Sequence, residues 1–169
     1  MDIIFQKASE KEVELIQNLA ERSWRSAYRE ILSAQQIDYM LAEMYSESEL
    51  INQLQTLEYQ YYIIIFEGNA VGFLGFELHY ESNTTKLHRL YLVPEVIGKG
   101  LGKASISFLK ARVSEFGDQR IILNVNKNNP AKKIYDSQGF RVYGEAVIDI
   151  GKGFVMDDYL MEHHLQRPF

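Results

Sequence analysis

The chain has 169 residues, 46% of them apolar and 24% charged, a composition of folded globular chains rather than disordered ones. It carries a net charge of −5 and no cysteine. The charge argues against a general nucleic-acid binder, and the missing thiol excludes disulfides, thiolate metal sites and a cysteine nucleophile. The length argues for one domain spanning 1–169, built from two layers of secondary structure.

Residues 1–5 show no basic stretch and no long apolar core, and nowhere do about 18 apolar residues run together. No signal peptide and no membrane span are expected, and the expected location is cytoplasmic. Residues 2–8 suit a short strand. Ser9 then caps a helix, with Glu12 placed to complete a capping box, and Val13, Ile16, Leu19, Ala20, Trp24, Ala27 and Ile31 fall on one face. Ser33 opens a second helix to about Met44. Ser46 opens a third to about Leu57, with Glu49 as its capping-box partner. Residues 59–66 read as a strand buried on both faces, and Gly68-Asn69 turns it into a second strand over 70–79. A third strand covers about 85–93.

Glycines then cluster at 98, 100 and 102, and an amphipathic helix follows to about Phe116. Residues 121–125 form another strand. Asn129-Pro130 marks the start of a short helix that ends before Gly139. Residues 141–149 and 154–163 close the chain as a hairpin over Gly151-Lys152-Gly153. The order predicts an α/β or α+β fold with a mixed sheet.

The glycine segment lies between a strand and a helix. Glycine there lets the backbone approach a ligand closely, and the N–H groups opening the helix favour an anion, with Lys99 and Lys103 adding positive charge. A Walker A loop would need glycine at position 97 and Ser or Thr after Lys103, where Ile97 and Ala104 stand. A dinucleotide fingerprint fails because Lys103 occupies the place of its third glycine. The alternative is a tight turn that needs glycine for geometry alone.

Leu90-Tyr91-Leu92-Val93-Pro94 followed by Gly98-Lys99-Gly100-Leu101-Gly102-Lys103 resembles the acetyl-CoA-binding motif of the GCN5-related N-acetyltransferase (GNAT) family. Asn128-Asn129-Pro130-Ala131-Lys132-Lys133-Ile134-Tyr135, then Gly139-Phe140, resembles the family's next motif. One position departs: Ile97 stands where the family has Arg or Gln, whose side chain helps close the loop on the pyrophosphate. The resemblance implies the GNAT fold, a mostly antiparallel twisted sheet flanked by helices, with two central parallel strands splayed apart. It implies acetyl-CoA as donor, its pantetheine against the backbone of Leu90, Tyr91 and Leu92. Its pyrophosphate would lie on the amides of Ile97, Gly98, Lys99, Gly100, Leu101, Gly102 and Lys103, with Asn128 and Lys132 assisting. Leu92 or Tyr91 would offer a backbone N–H to the thioester oxygen.

An amine would then attack the thioester directly. The resemblance assigns Tyr135 as the proton donor to the leaving thiolate. His88, on the strand before the loop, is the candidate base, its ordinary pKa near 6.5 suiting the role; a surface histidine is the alternative. His79 reads as solvent-facing. Trp24 and Tyr28, four apart on the first helix, are candidates for the acceptor wall, with core packing the competing reading. Asp158, in the last hairpin beside Asp157 and with Asp149 nearby, is a candidate for attracting a polycation, and plain solvated charge is the alternative. The pair His163 and His164 suggests no metal site. At finer grain the aromatic first helix, residues 36–40 and the 154–161 ending are similar to bacterial spermidine/spermine N-acetyltransferases of the family. The acceptor expected is a small-molecule amine, a polyamine among them, with no nucleic-acid or membrane partner and a homodimer implied by resemblance. A peptide α-amine acceptor and a non-catalytic acyl-CoA sensor are the alternatives.

Overall fold

Serine hydroxyls start the helices where the sequence places them. The computed structural model describes residues 2–165. After strand β1 (Ile3–Lys7), Ser9 and Glu12 form the reciprocal capping box of a 3-10 turn that runs into α1 (Val13–Ala27). Helix α1 stops short of Ile31: the N–H groups of Ile31 and Leu32 turn back onto the carbonyl of Tyr28. Ser33 caps α2 (Ala34–Met44) and Ser46 caps α3 (Glu47–Gln55). The box at Ser46 is half made, because the Glu49 carboxylate accepts from Gln53 Nε2 instead of reaching back.

The remaining elements are β2 (Tyr59–Phe66), β3 (Asn69–Glu81), β4 (Thr84–Leu92), α4 (Leu101–Glu115), β5 (Arg120–Asn126), α5 (Lys132–Ser137), β6 (Arg141–Gly151) and β7 (Phe154–His164). Helix α5 begins later than Asn129-Pro130 suggests. The Asn129 side chain accepts the N–H of Ala131, and short backbone bonds from Lys132, Lys133 and Ile134 tighten residues 129–131 into a turn ahead of the helix.

The strands form one seven-stranded sheet in the order β1-β2-β3-β4-β5-β7-β6, antiparallel except for β4 against β5. Successive residues of β2 reach opposite layers, as a strand buried on both faces must. Tyr61 donates to Gln53 of α3 and packs with Phe73, whereas Tyr62 meets Phe76 and, edge to face, Phe108 of α4. Helices therefore cover both faces, with Trp24 of α1 on one side and Ile106, Leu109 and Val113 of α4 on the other.

Two irregularities in β4 and its neighbours set the site. The parallel pairing of β4 with β5 runs from Thr84–Arg120 to Leu87–Leu123 and stops there, although both strands continue. One residue later β4 bulges: Gly75 of β3 lies opposite Arg89 and Phe76 opposite Leu87, so His88 is the extra residue. The far end of β3 is pinned by buried Asp118, which accepts from the backbone N–H of His79 at 2.8 Å and from the Thr85 hydroxyl at 2.7 Å. His79 is thus held by Asp118 rather than simply solvated, and its backbone takes a left-handed φ of 56°.

Candidate active site

The donor side of the site is built from main chain. Val93 N–H donates to Val71 O at 2.9 Å, and hydrogen-bonding direction alternates along an antiparallel ladder. Tyr91 therefore turns its N–H toward β3, while those of Leu90 and Leu92 face the gap left by β5. Of the two N–H groups considered for the thioester oxygen, only that of Leu92 remains free for it. An extended ligand can pair with this edge as an added strand would.

The glycine loop continues from that edge. Gly98 and Gly100 have φ of 85° and 82°, in open surroundings, so conformation rather than crowding requires glycine there. Gly100 is the N-cap of α4, so no side chain occupies the space before its first turn. The amides of Ile97 and Lys99 are spent on the carbonyls of Pro94 and Val96. This corrects the full run of 97–103: the N–H groups left for an anion are those of Gly98, Gly100, Leu101, Gly102 and Lys103. The helix dipole adds to them. Gly102 serves a second purpose, since a Cβ there would lie 2.9 Å from Ile134 Cδ1, and the Ile134 side chain would have to shift.

The side chains assigned to the donor divide. Leu101 is buried in the core and contributes only backbone. Ile97 is 64% exposed and lines the cleft. The Lys99 ammonium lies over the Phe66 ring. Lys132 is occupied by an ion pair with Asp136 at 2.8 Å and by the Tyr159 ring, and exposed Asn128 does not line the cleft. Asn129 takes that place: it lines the cleft and donates to Tyr28 Oη.

Between the donor edge and α1 lies a cleft of about 360 Å³, whose walls include Tyr28, His88, Tyr91, Asn124, Asn129 and Tyr135. Tyr28 and Tyr91 share a hydrogen bond at 3.1 Å. Trp24 is not part of the wall. It is 1% exposed, its indole N–H donates to Tyr45 Oη, and its ring packs on Tyr28 and Tyr91. Four-residue spacing put the two rings on one helix face, but Trp24 is turned into the core and Tyr28, at the helix end, reaches the cleft.

Tyr135 comes from α5 with its ring edge-on to Phe140. Its hydroxyl makes no hydrogen bond among the described residues, and burial raises its pKa, so the phenol stays protonated at neutral pH. His88 Nε2 lies 3.1 Å from Glu77 Oε1, and burial lowers the imidazole pKa, against the upward pull of Glu77. Arg89, missed in the sequence, is buried, donates to Met44 O and stacks on Tyr45, tying the α2–α3 junction to β4.

Asp158 is 5% exposed and leaves Oδ1 without a hydrogen-bond partner among the described residues. Its cross-strand neighbour is Asn126, and it interacts with Asn124 of the cleft wall. Burial, with Asp157 adding repulsion, raises its pKa. A buried carboxylate with an unused lone pair is a costly feature that a bound cation relieves. No group of side chains able to hold a metal occurs among the described residues, and no described helix is long and apolar enough to cross a membrane.

Coenzyme A fits this architecture: an unpaired strand edge for an extended arm, then five free amides at a helix N-terminus for a pyrophosphate. A spermidine N(1)-acetyltransferase of Thermoplasma acidophilum is 28% identical over 147 residues, covering 84% of this chain and 90% of that one. The crystal structure of PaiA N-acetyltransferase from the same organism, in complex with coenzyme A, superposes with a TM-score of 0.82 at 25% identity, covering 97% of this chain and 99% of the other. The ribosomal-protein-S18-alanine N-acetyltransferase of Escherichia coli shares the fold, with a TM-score of 0.74 at 15% identity over 99% of this chain and 97% of that one. The sequence itself matches the acetyltransferase (GNAT) family over residues 16–140. With the split parallel strands, the glycine loop and that match together, this chain belongs to the GNAT family of acetyl-CoA-dependent N-acetyltransferases.

Proposed function

We propose that the protein acetylates a primary amine of a small cationic molecule, a polyamine being the acceptor that fits best. Buried Asp158, whose Oδ1 has no hydrogen-bond partner among the described residues, carries this reading, because that oxygen can accept from a second ammonium group beside the cleft. Similarity to the spermidine N(1)-acetyltransferase of Thermoplasma acidophilum supports it.

Acetyl-CoA supplies an activated acetyl group and a thiolate leaving group. The residues do the rest. The amides from Gly98 to Lys103 that remain free hold the pyrophosphate, and Leu92 N–H polarises the carbonyl oxygen as charge grows there. Tyr28 and Tyr91 wall the acceptor. His88 takes one proton from the incoming ammonium, leaving the nitrogen its lone pair for attack on the carbonyl carbon. As the carbon–sulfur bond breaks, Tyr135 donates its proton to sulfur, and the nitrogen that has become an amide returns one to the phenolate. No covalent enzyme intermediate is needed, consistent with a chain that has no cysteine.

A panel of polyamines, aminoglycosides and short peptides, read by release of free thiol from acetyl-CoA, tests this. Turnover is expected to be fastest with polyamines. Turnover only with peptides would transfer the assignment to an α-amine acceptor, and tight coenzyme binding with no turnover across the panel would mark a sensor.

A further inference from the structure

We propose that Glu77 is a positioning residue for catalysis, fixing His88 as an imidazole whose Nδ1 accepts the acceptor's proton. The inference rests on the acetyl-transfer reading above and adds a residue from a different strand. Glu77 lies on β3, outside the cleft lining, and meets His88 only because β4 bulges there. Without the extra residue, His88 and Arg89 would face opposite sides of the sheet. With it, His88 stacks on Tyr59, whose own ionisation is influenced by Arg89.

The imidazole is held on three sides. Its ring stacks on Tyr59 at 5.0 Å with planes 10° apart, and Tyr80 meets it edge-on at 5.7 Å. Its Nε2 donates to Glu77 Oε1 at 3.1 Å. Nε2 therefore carries the hydrogen, and Nδ1, which has no hydrogen-bond partner among the described residues, carries the lone pair. When an ammonium N–H bond breaks, its electron pair stays on the amine and the proton goes to Nδ1. The imidazolium then loses a proton to water. The charged groups around the ring are Glu77 from β3, which favours the imidazolium, and Lys86 and Arg89 from β4, which oppose it; Tyr80 of β3 and half-buried, neutral Tyr59 of β2 are the phenols that face it. Among the described residues Glu77 is the negative charge that pulls on the ring, so its loss should make His88 a weaker base while leaving coenzyme binding alone.

The test compares Glu77→Gln and Glu77→Asp with the natural chain, using acetyl-CoA and spermidine. Glu77→Gln keeps an acceptor oxygen but removes the charge. It should lower kcat by about tenfold, leave the KM for acetyl-CoA unchanged and move the acid limb of kcat/KM to lower pH. Glu77→Asp should restore the limb in large part. Nitrogen NMR of labelled histidine reads the same pair without turnover: His88 should hold its hydrogen on Nε2 in the natural chain, and its titration should shift down in Glu77→Gln. An unshifted His88 titration, or a loss of kcat with an unmoved acid limb, overturns the proposal. Absence of turnover with spermidine and the rest of the amine panel would sink the acceptor reading instead, since the NMR decides the pair by itself.

Discussion

On the donor side of the cleft the free amides of the glycine loop are main chain, whereas the acceptor side proposed above is made of side chains from the end of α1, β4, β5, β7 and α5. The donor side depends on conformation: two left-handed glycines, an uncapped helix start and a strand edge without its neighbour. The proposed acceptor side depends on charge and proton affinity: an imidazole and a phenol whose pKa values burial shifts toward the neutral form, and a carboxylate with one oxygen unpartnered among the described residues. Substitutions on the first should alter coenzyme affinity at any pH. Substitutions on the second should alter turnover, acceptor KM and their pH dependence.

The largest effect is expected at the junction of the two sides. Tyr135→Phe should lower kcat by roughly 100-fold, the usual worth of a general acid, with calorimetric affinity for acetyl-CoA unchanged. An undiminished kcat would remove Tyr135 from the chemistry. On the donor side, Gly100→Val forces a β-branched residue to φ 82° and should weaken coenzyme binding by roughly 10- to 30-fold, alike at pH 6 and pH 8. A loss that varied with pH would break the division between the sides.

Asp158→Asn should raise the KM for spermidine by about tenfold. It should also make the fold more stable. The folded pKa of Asp158 lies above its ordinary value of 3.8, so the folded state holds the proton more tightly than the unfolded state does. The carboxylate therefore costs stability at pH values above the folded pKa, and that cost fades below 3.8. Thermal melts at pH 7 should show a gain of ~1 kcal/mol, about 2–4 °C in Tm, that disappears near pH 3.5. The sign at His88 is the reverse: its pKa is lowered from 6.5, so the neutral base persists, and the acid limb of kcat/KM should fall below pH 6.5. The smallest effect is expected from Ile97→Arg. It places a cation at the exposed mouth of the cleft and should tighten coenzyme binding by about two- to fivefold at low salt.

Legibility followed the same division. The capping serines at 9, 33 and 46 and the turn glycines act within a few residues of themselves, so their signals are local. The ion pair of Lys132 is local too: its partner Asp136 stands four residues on, the spacing of a helical ion pair. Asn129 rather than Asn128 enters the cleft because a tight turn precedes α5. Trp24 and Tyr28 share a helix face, but only the packing of α1 on the sheet decides which of them is covered. Glu77 and Arg89 were not picked out, since β4 carries no glycine or proline at the bulge that brings His88 to Glu77, and Gly75 lies across from it on β3.

By itself the sequence determined the order of elements and a glycine loop suited to an anion, because left-handed φ, free amides and helix starts are properties of short stretches of backbone, and its motifs resembled those of a family that uses acetyl-CoA. Only the tertiary structure decided where β4 parts from β5, which ring lines the cleft, that Glu77 reaches His88 and that Oδ1 of Asp158 has no hydrogen-bond partner among the described residues. Those features depend on contacts between strands and helices far apart in the chain. Each side chain there gains its burial, its partner or its want of one from neighbours that its own stretch of sequence does not name.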